Sequence, residues 1–163
     1  MLAAMKHLLL TFCLALSACS QAREPALQAA AQAALYPNET RHMRSLIVKY
    51  AEINDIPEDL LHAVIQRESD YRPRARNGPY YGLMQILPQT ARGMGFSGAP
   101  DELLEPETNL IYAGRYLRGA WLVSDGDIDT AVGWYARGYY YEARDRCLLV
   151  ETRLRNSEVR RHC

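Results

Sequence analysis

From about residue 41 onward, apolar side chains recur at spacings of three and four, the period of helices that bury one face. Met43, Leu46, Ile47, Tyr50 and Ile53 mark the first such face. Asn54-Asp55-Ile56-Pro57 interrupts it, and Pro57 suits the first turn of a following helix. Leu60, Leu61, Val64 and Ile65 supply the buried stripe of that second helix. Two prolines and Asn77-Gly78 make residues 72–81 a loop. Pro88 opens a short helix that Gly93 and Gly95 halt. Residues 107–123 predict a longer helix with Leu110, Ala113, Gly114, Leu117, Ala120 and Trp121 toward the core. Ser124-Asp125-Gly126-Asp127 is a turn, with Asp127 as N-cap of a helix through Ala136. A last helix is expected over residues 142–161, carrying Leu148, Leu149, Leu154 and Val159. No alternating β-branched run suggests a sheet, so the expected fold is mainly α, a single helical domain over residues 39–163.

The residues before that domain follow another logic. Lys6 and the amino terminus precede a short apolar run from Leu8 to Leu16. A spanning helix needs roughly 20 apolar residues, so this run predicts an export signal over residues 1–18. It ends in Leu16-Ser17-Ala18-Cys19, which resembles the bacterial lipobox residue by residue. That resemblance implies cleavage before Cys19 and a diacylglycerol on its thiol. Ser20 in place of Asp then implies sorting to the periplasmic face of the outer membrane. An ordinary signal peptide with a chance cysteine is the plainer alternative. Residues 19–38 are expected to be a tether, and about 18 extended residues span ~60 Å. Pro37-Asn38-Glu39-Thr40 supplies turn and capping residues.

Composition narrows the class. The chain has 163 residues, with 19 basic and 19 acidic side chains in balance, which argues against a nucleic-acid partner. With Cys13 removed and Cys19 lipidated, Cys147 and Cys163 remain. In an oxidising compartment an even pair predicts a disulfide pinning the C-terminal tail; two free thiols are the alternative. His7, His42, His62 and His162 show no metal-ligand spacing, and no phosphate-binding Gly-Lys motif is present, so no metal or cofactor is expected.

Glu68 is the informative polar position. Three residues after Ile65 and seven after Leu61, it falls on an apolar helix face, where burial raises a carboxyl's pKa. A raised pKa suits a general acid near neutral pH; a helix-end cap or ion pair is the bland alternative. Around it the chain reads Glu68-Ser69, Gly82-Leu83-Met84-Gln85-Ile86, Pro88-Gln89-Thr90-Ala91, Glu105-Pro106-Glu107-Thr108-Asn109-Leu110 and Tyr135 to Gly138. In this order the motifs resemble the soluble lytic transglycosylase family over roughly residues 42–140.

The resemblance implies a lysozyme-like, goose-type fold and a lyase that cuts the MurNAc–GlcNAc β-1,4 bond of peptidoglycan. Glu68 would be the sole catalytic acid and base, leaving 1,6-anhydro-MurNAc ends. Ser69 would lie in the cleft beside it, Gly82 would let backbone and sugar approach, Met84 and Gln85 would line the cleft, and Tyr135 would aim at Glu68 or the reacting sugar. Met84 fits the core equally, Leu83 and Ile86 fit the core, and Thr90 and Asn109 fit caps. Asp70, two residues from Glu68, points elsewhere by helical geometry. Two departures stand out: Tyr135-Ala136-Arg137-Gly138 replaces Y-N-A-G, and Pro79-Tyr80-Tyr81-Gly82 replaces G-A-x-G. The rings of Trp134, Tyr135, Tyr139, Tyr140 and Tyr141 divide between sugar groove and core. A hydrolytic muramidase on the same fold and a non-catalytic peptidoglycan-binding lipoprotein remain alternatives.

Overall fold

The computed structural model describes residues 34–163; the export signal, Cys19 and all but the end of the tether lie outside them. Helix α1 spans Arg41–Asn54, with Thr40 as its cap: the Thr40 hydroxyl accepts from the Met43 amide at 3.1 Å. Helix α2 spans Glu58–Ser69 and buries Leu60, Leu61, Val64 and Ile65 completely. Each such side chain contributes about 1.5–3 kcal/mol of apolar burial. Pro57 sits one position before the helix rather than within it.

The expected loop contains a small hairpin, β1 (Arg76–Asn77) against β2 (Tyr80–Tyr81), antiparallel with Arg76 opposite Tyr81. Gly78 takes the left-handed conformation its turn requires. Helix α3 runs Pro88–Gly93, and a 3₁₀ turn over Pro100–Leu104 leads into the long helix α4, Pro106–Leu122. Helix α5 spans Ile128–Arg137, its Asp127 cap accepting from the Thr130 amide at 2.7 Å, and α6 spans Tyr140–Asp145.

Helix α4 is the axis of the domain: α1, α3 and α5 pack on it, while α2 bridges α1 and α5. Its glycines permit this. A Cβ on Gly119 would stand 2.2 Å from the Tyr139 hydroxyl, which donates to the Tyr116 carbonyl. A Cβ on Gly114 would stand 2.8 Å from the Asn54 amide. Residues 36–163 form one compact unit. Tyr36 stacks on Tyr71 and tilts against His62. Among the described residues no helix is long and apolar enough to cross a membrane.

Two expectations need correction. Ile53 is 62% exposed, and Asn54 takes the buried position instead, its amide donating to the Tyr50 carbonyl. The helix expected over residues 142–161 stops at Asp145. The Leu148 amide closes back onto the Ala143 carbonyl, and Cys147 and Arg153 turn left-handed. The tail then runs as successive turns, held by fully buried Leu149, by the Thr152 hydroxyl on the Leu148 carbonyl, and by Glu158 accepting from the Val150 amide.

Cys147 and Cys163 meet at the end of this tail, their Cα atoms 5.4 Å apart and their sulfurs at bonding distance. A clip across 16 residues stabilises by about 3 kcal/mol in the chain-entropy account. Cys163→Ser is therefore expected to lower unfolding free energy by about that amount under oxidising conditions. Denaturant titration checks it: the gap to wild type should close when both are reduced.

Candidate active site

The site is assembled by three segments that meet at the C-terminal end of α2. Glu68 occupies the last turn of that helix, whose final residues are capped by left-handed Asp70. Its side chain is 23% exposed and makes no hydrogen bond among the described residues; the Arg67 guanidinium stands 3.6 Å away and is itself half-exposed. Burial raises the Glu68 pKa, and Arg67 offsets this in part. The carbonyl end of a helix further disfavours a negative charge. Asp70 is turned away, accepting from the Asn38 amide at 2.8 Å, so no second carboxylate joins Glu68 from its own helix end.

The second segment is the tight turn Gly82-Leu83-Met84-Gln85, closed by reciprocal hydrogen bonds between the Tyr81 and Ile86 backbones. Gly82 and Gln85 are both left-handed, with φ of 75° and 46°. Ser69 ties the turn to α2, its hydroxyl donating to the Leu83 carbonyl at 2.7 Å. Tyr135 on α5 ties it from the other side, its hydroxyl donating to the Met84 carbonyl at 2.8 Å. Burial holds the Tyr135 phenol well above its usual pKa, and Glu68 lies close enough to push in the same direction.

The expected site residues therefore come together, but in different capacities. Ser69 is buried and committed to the main chain of the turn, so it positions the turn rather than lining an open cleft. The Met84 side chain is fully buried, which places it in the core. Gly82 is required by the protein itself: a Cβ there would stand 2.3 Å from both the Leu103 carbonyl oxygen and the Asn109 amide. Gln85 is the lining residue. Its amide nitrogen donates to the carbonyls of Ala75 and Gly82, while its carbonyl oxygen is buried without a partner. Gln85, Tyr135, Tyr80 and Arg137 share a cavity of about 260 Å³.

Asn109 was expected as a cap and is instead the bolt of the turn. Fully buried in α4, it accepts from the Met84 amide at 2.9 Å and donates to the Tyr81 and Leu103 carbonyls at 2.9 and 2.8 Å. The available signal was an asparagine four and eight residues before Ala113 and Leu117, on the apolar face of its helix.

The aromatic residues divide as well. Tyr139 is core and Tyr141 is 69% exposed. Tyr80 lines the cavity, while the Tyr81 ring is covered by the Arg76 guanidinium at 4.3 Å. Ala136, where the related pattern has Asn, is exposed on the cavity wall. The metal-ligating side chains that cluster among the described residues are Cys147, His162 and Cys163, at the disulfide and remote in sequence from Glu68.

This arrangement of helices around a long central one is mainly α and lysozyme-like. The chain belongs to the transglycosylase SLT domain family, which its residues 45–145 match. It is 38% identical over 80 residues to the transglycosylase of Enterobacteria phage PRD1, covering 48% of this chain and 28% of that protein. To the peptidoglycan transglycosylase gp16 of Escherichia phage T7 it is 35% identical over 98 residues, 57% of this chain and 7% of that one. The soluble lytic murein transglycosylase of Escherichia coli (strain K12) is 33% identical over 81 residues, 45% of this chain and 12% of its own length. The chain thus spans less than a third of each of these relatives. No solved structure matches it significantly.

Proposed function

We propose that this protein cleaves the MurNAc–GlcNAc β-1,4 bond of peptidoglycan and leaves 1,6-anhydro-MurNAc ends, with Glu68 as acid and then base. The observation that carries this is the half-buried Glu68 carboxyl, free of hydrogen bonds and faced only by the half-exposed Arg67 among the described residues, its pKa raised by burial, close to Tyr135 and to the Gln85 turn. A protonated Glu68 gives its proton to the glycosidic oxygen as the C1–O bond breaks. The N-acetyl oxygen of MurNAc closes on C1, as in substrate-assisted glycosidases that work without a second carboxylate. Glu68, now ionised, takes the proton of the C6 hydroxyl, and O6 displaces the acetamido oxygen at C1. No metal or cofactor enters the scheme.

The relatives named for acting on peptidoglycan or murein support the substrate. The export signal and lipobox at Cys19 support a lipoprotein held on the periplasmic face of the outer membrane, with the disulfide formed there. Two other readings have an observation behind them. Water can replace O6 in the second step, giving a muramidase, because the site is open to solvent at Glu68. Ala136 in place of the related Asn favours a binder without turnover.

The test is incubation of the protein with purified sacculi and mass spectrometry of what is released. Anhydro-muropeptides are the expected product. Reducing-end products make the protein a hydrolase, and tight binding without release makes it a wall-holding lipoprotein.

A further inference from the structure

Beside the cavity at Gln85 lies a larger one of about 680 Å³, and the two share Thr90 and Tyr116. Its far wall is the tail segment from Arg153 to Ser157. That wall lies outside residues 45–145, which match the family. The wall is also fixed rather than draped: Leu149 and Thr152 are buried, Glu158 grips the Val150 amide, and Cys147 and Cys163 close the end.

The arginines in and around this tail differ in their partners. Arg144, Arg146 and Arg160 are each ion-paired, with Asp145, with Glu142 and Asp125, and with Asp145 respectively. Arg153 and Arg155 line the cavity, are exposed, and have no carboxylate partner among the described residues. Arg137 is likewise unpaired by any carboxylate and stands in the adjoining cavity, its guanidinium 3.9 Å above the Trp134 ring. Three guanidinium groups without internal counter-charges thus border one continuous trough. A planar guanidinium matches a carboxylate in two parallel hydrogen bonds. In the smaller cavity, the buried Gln85 carbonyl oxygen still lacks a donor, which an amide N–H would supply.

We propose that residues 146–163 complete a subsite for the peptide stems of the glycan, with Arg153 and Arg155 receiving stem carboxylates and Arg137 standing in the adjoining cavity beside Gln85. The inference rests on the peptidoglycan reading above. A stem carries both amide N–H groups and carboxylates, the two chemistries the trough lacks. Glycan stripped by an amidase loses the stem amides and stem carboxylates and keeps only the short lactyl carboxylate on each MurNAc, held against the sugar ring.

The experiment compares wild type with the double variant Arg153→Ala/Arg155→Ala on stem-bearing glycan strands and on the same strands stripped by an amidase. Both side chains are exposed, so unchanged thermal melting is expected and is checked first. The double variant should lose about tenfold in kcat/KM on stem-bearing strands, mainly through KM, and nothing on stripped ones. The difference should shrink at 1 M salt, where screening acts within ~3 Å. Equal loss on both strands, or no loss on stem-bearing strands, overturns the subsite. Failure of wild type to cut either strand counts against the transglycosylase reading alone. Co-sedimentation of both proteins with stem-bearing and stripped strands then decides the subsite by the same pattern in retained protein.

Discussion

Glu68→Gln should reduce release of anhydro-muropeptides from sacculi by about 10³-fold or more while leaving binding to the wall intact. General acid–base help from one group is ordinarily worth about 10²–10⁴. In the proposed scheme a single carboxyl serves both the departure of the leaving oxygen and the attack of O6, and Asp70 is engaged with Asn38 and cannot deputise. Glutamine preserves shape and hydrogen bonding but has no proton to give at the glycosidic oxygen. Quantitative mass spectrometry of released material, paired with sedimentation of the protein with sacculi, separates the two effects. Turnover in the variant within tenfold of wild type would remove Glu68 from the mechanism.

The same substitution carries a stability signature of opposite sign. Burial raises the Glu68 pKa above its ordinary 4.5, so folding favours the protonated carboxyl. The stability this group confers is complete below the unfolded value and is lost as pH rises through the folded value. A neutral Gln side chain has no such loss. Glu68→Gln should therefore melt higher than wild type at pH 7, and the gap should narrow as both are acidified below pH 4.5. Wild-type turnover should decline as pH rises through the raised pKa, because the first step needs the acid form.

How far the sequence reached depended on whether a position is set by its neighbours along the chain. The stripe of α2 and the caps at Thr40 and Asp127 are local matters of helical period and side-chain chemistry, and they stand where spacing put them. Ile53 and Asn54 show the limit. Both lie near the edge of one helix face, and a glycine on another helix, Gly114, makes room for the asparagine. The tail failed as a helix because its path is set by burial of Leu149, the Glu158 contact and the Cys147–Cys163 closure, none of which is a matter of period. In the site, the segments carrying the motifs lie together, but the motifs do not say which atoms face outward. Met84 and Ser69 are inside, and Gly82 answers to Asn109 and Leu103, because the turn is specified by contacts 14 to 51 residues apart in sequence.

That dependence makes Asn109 the position where a single change should do most harm to the fold. Its side chain satisfies three backbone groups at once: the buried Met84 N–H and Leu103 carbonyl, and the partly buried Tyr81 carbonyl. Each buried group left unpaired costs about 1–3 kcal/mol. Asn109→Ala leaves the Met84 N–H and the Leu103 carbonyl without this partner at a completely buried position, while the Tyr81 carbonyl keeps the Ile86 amide. The small gap it leaves offers polar walls to at most a water, which recovers part of the loss. A net destabilisation of about 3–5 kcal/mol is expected, a large share of the roughly 5–15 kcal/mol that a domain possesses. Asn109→Asp should not rescue it, since a carboxylate still accepts from Met84 but has no N–H for the two carbonyls and is buried beside them. Urea denaturation read by circular dichroism measures the stability. Turnover at a temperature where the variant is still folded measures the site, and it should fall as well, because Gln85 and the carbonyl that holds Tyr135 ride on the same turn. A variant that keeps wild-type stability would mean that the turn holds its shape without this bolt, and that closure between Tyr81 and Ile86 suffices.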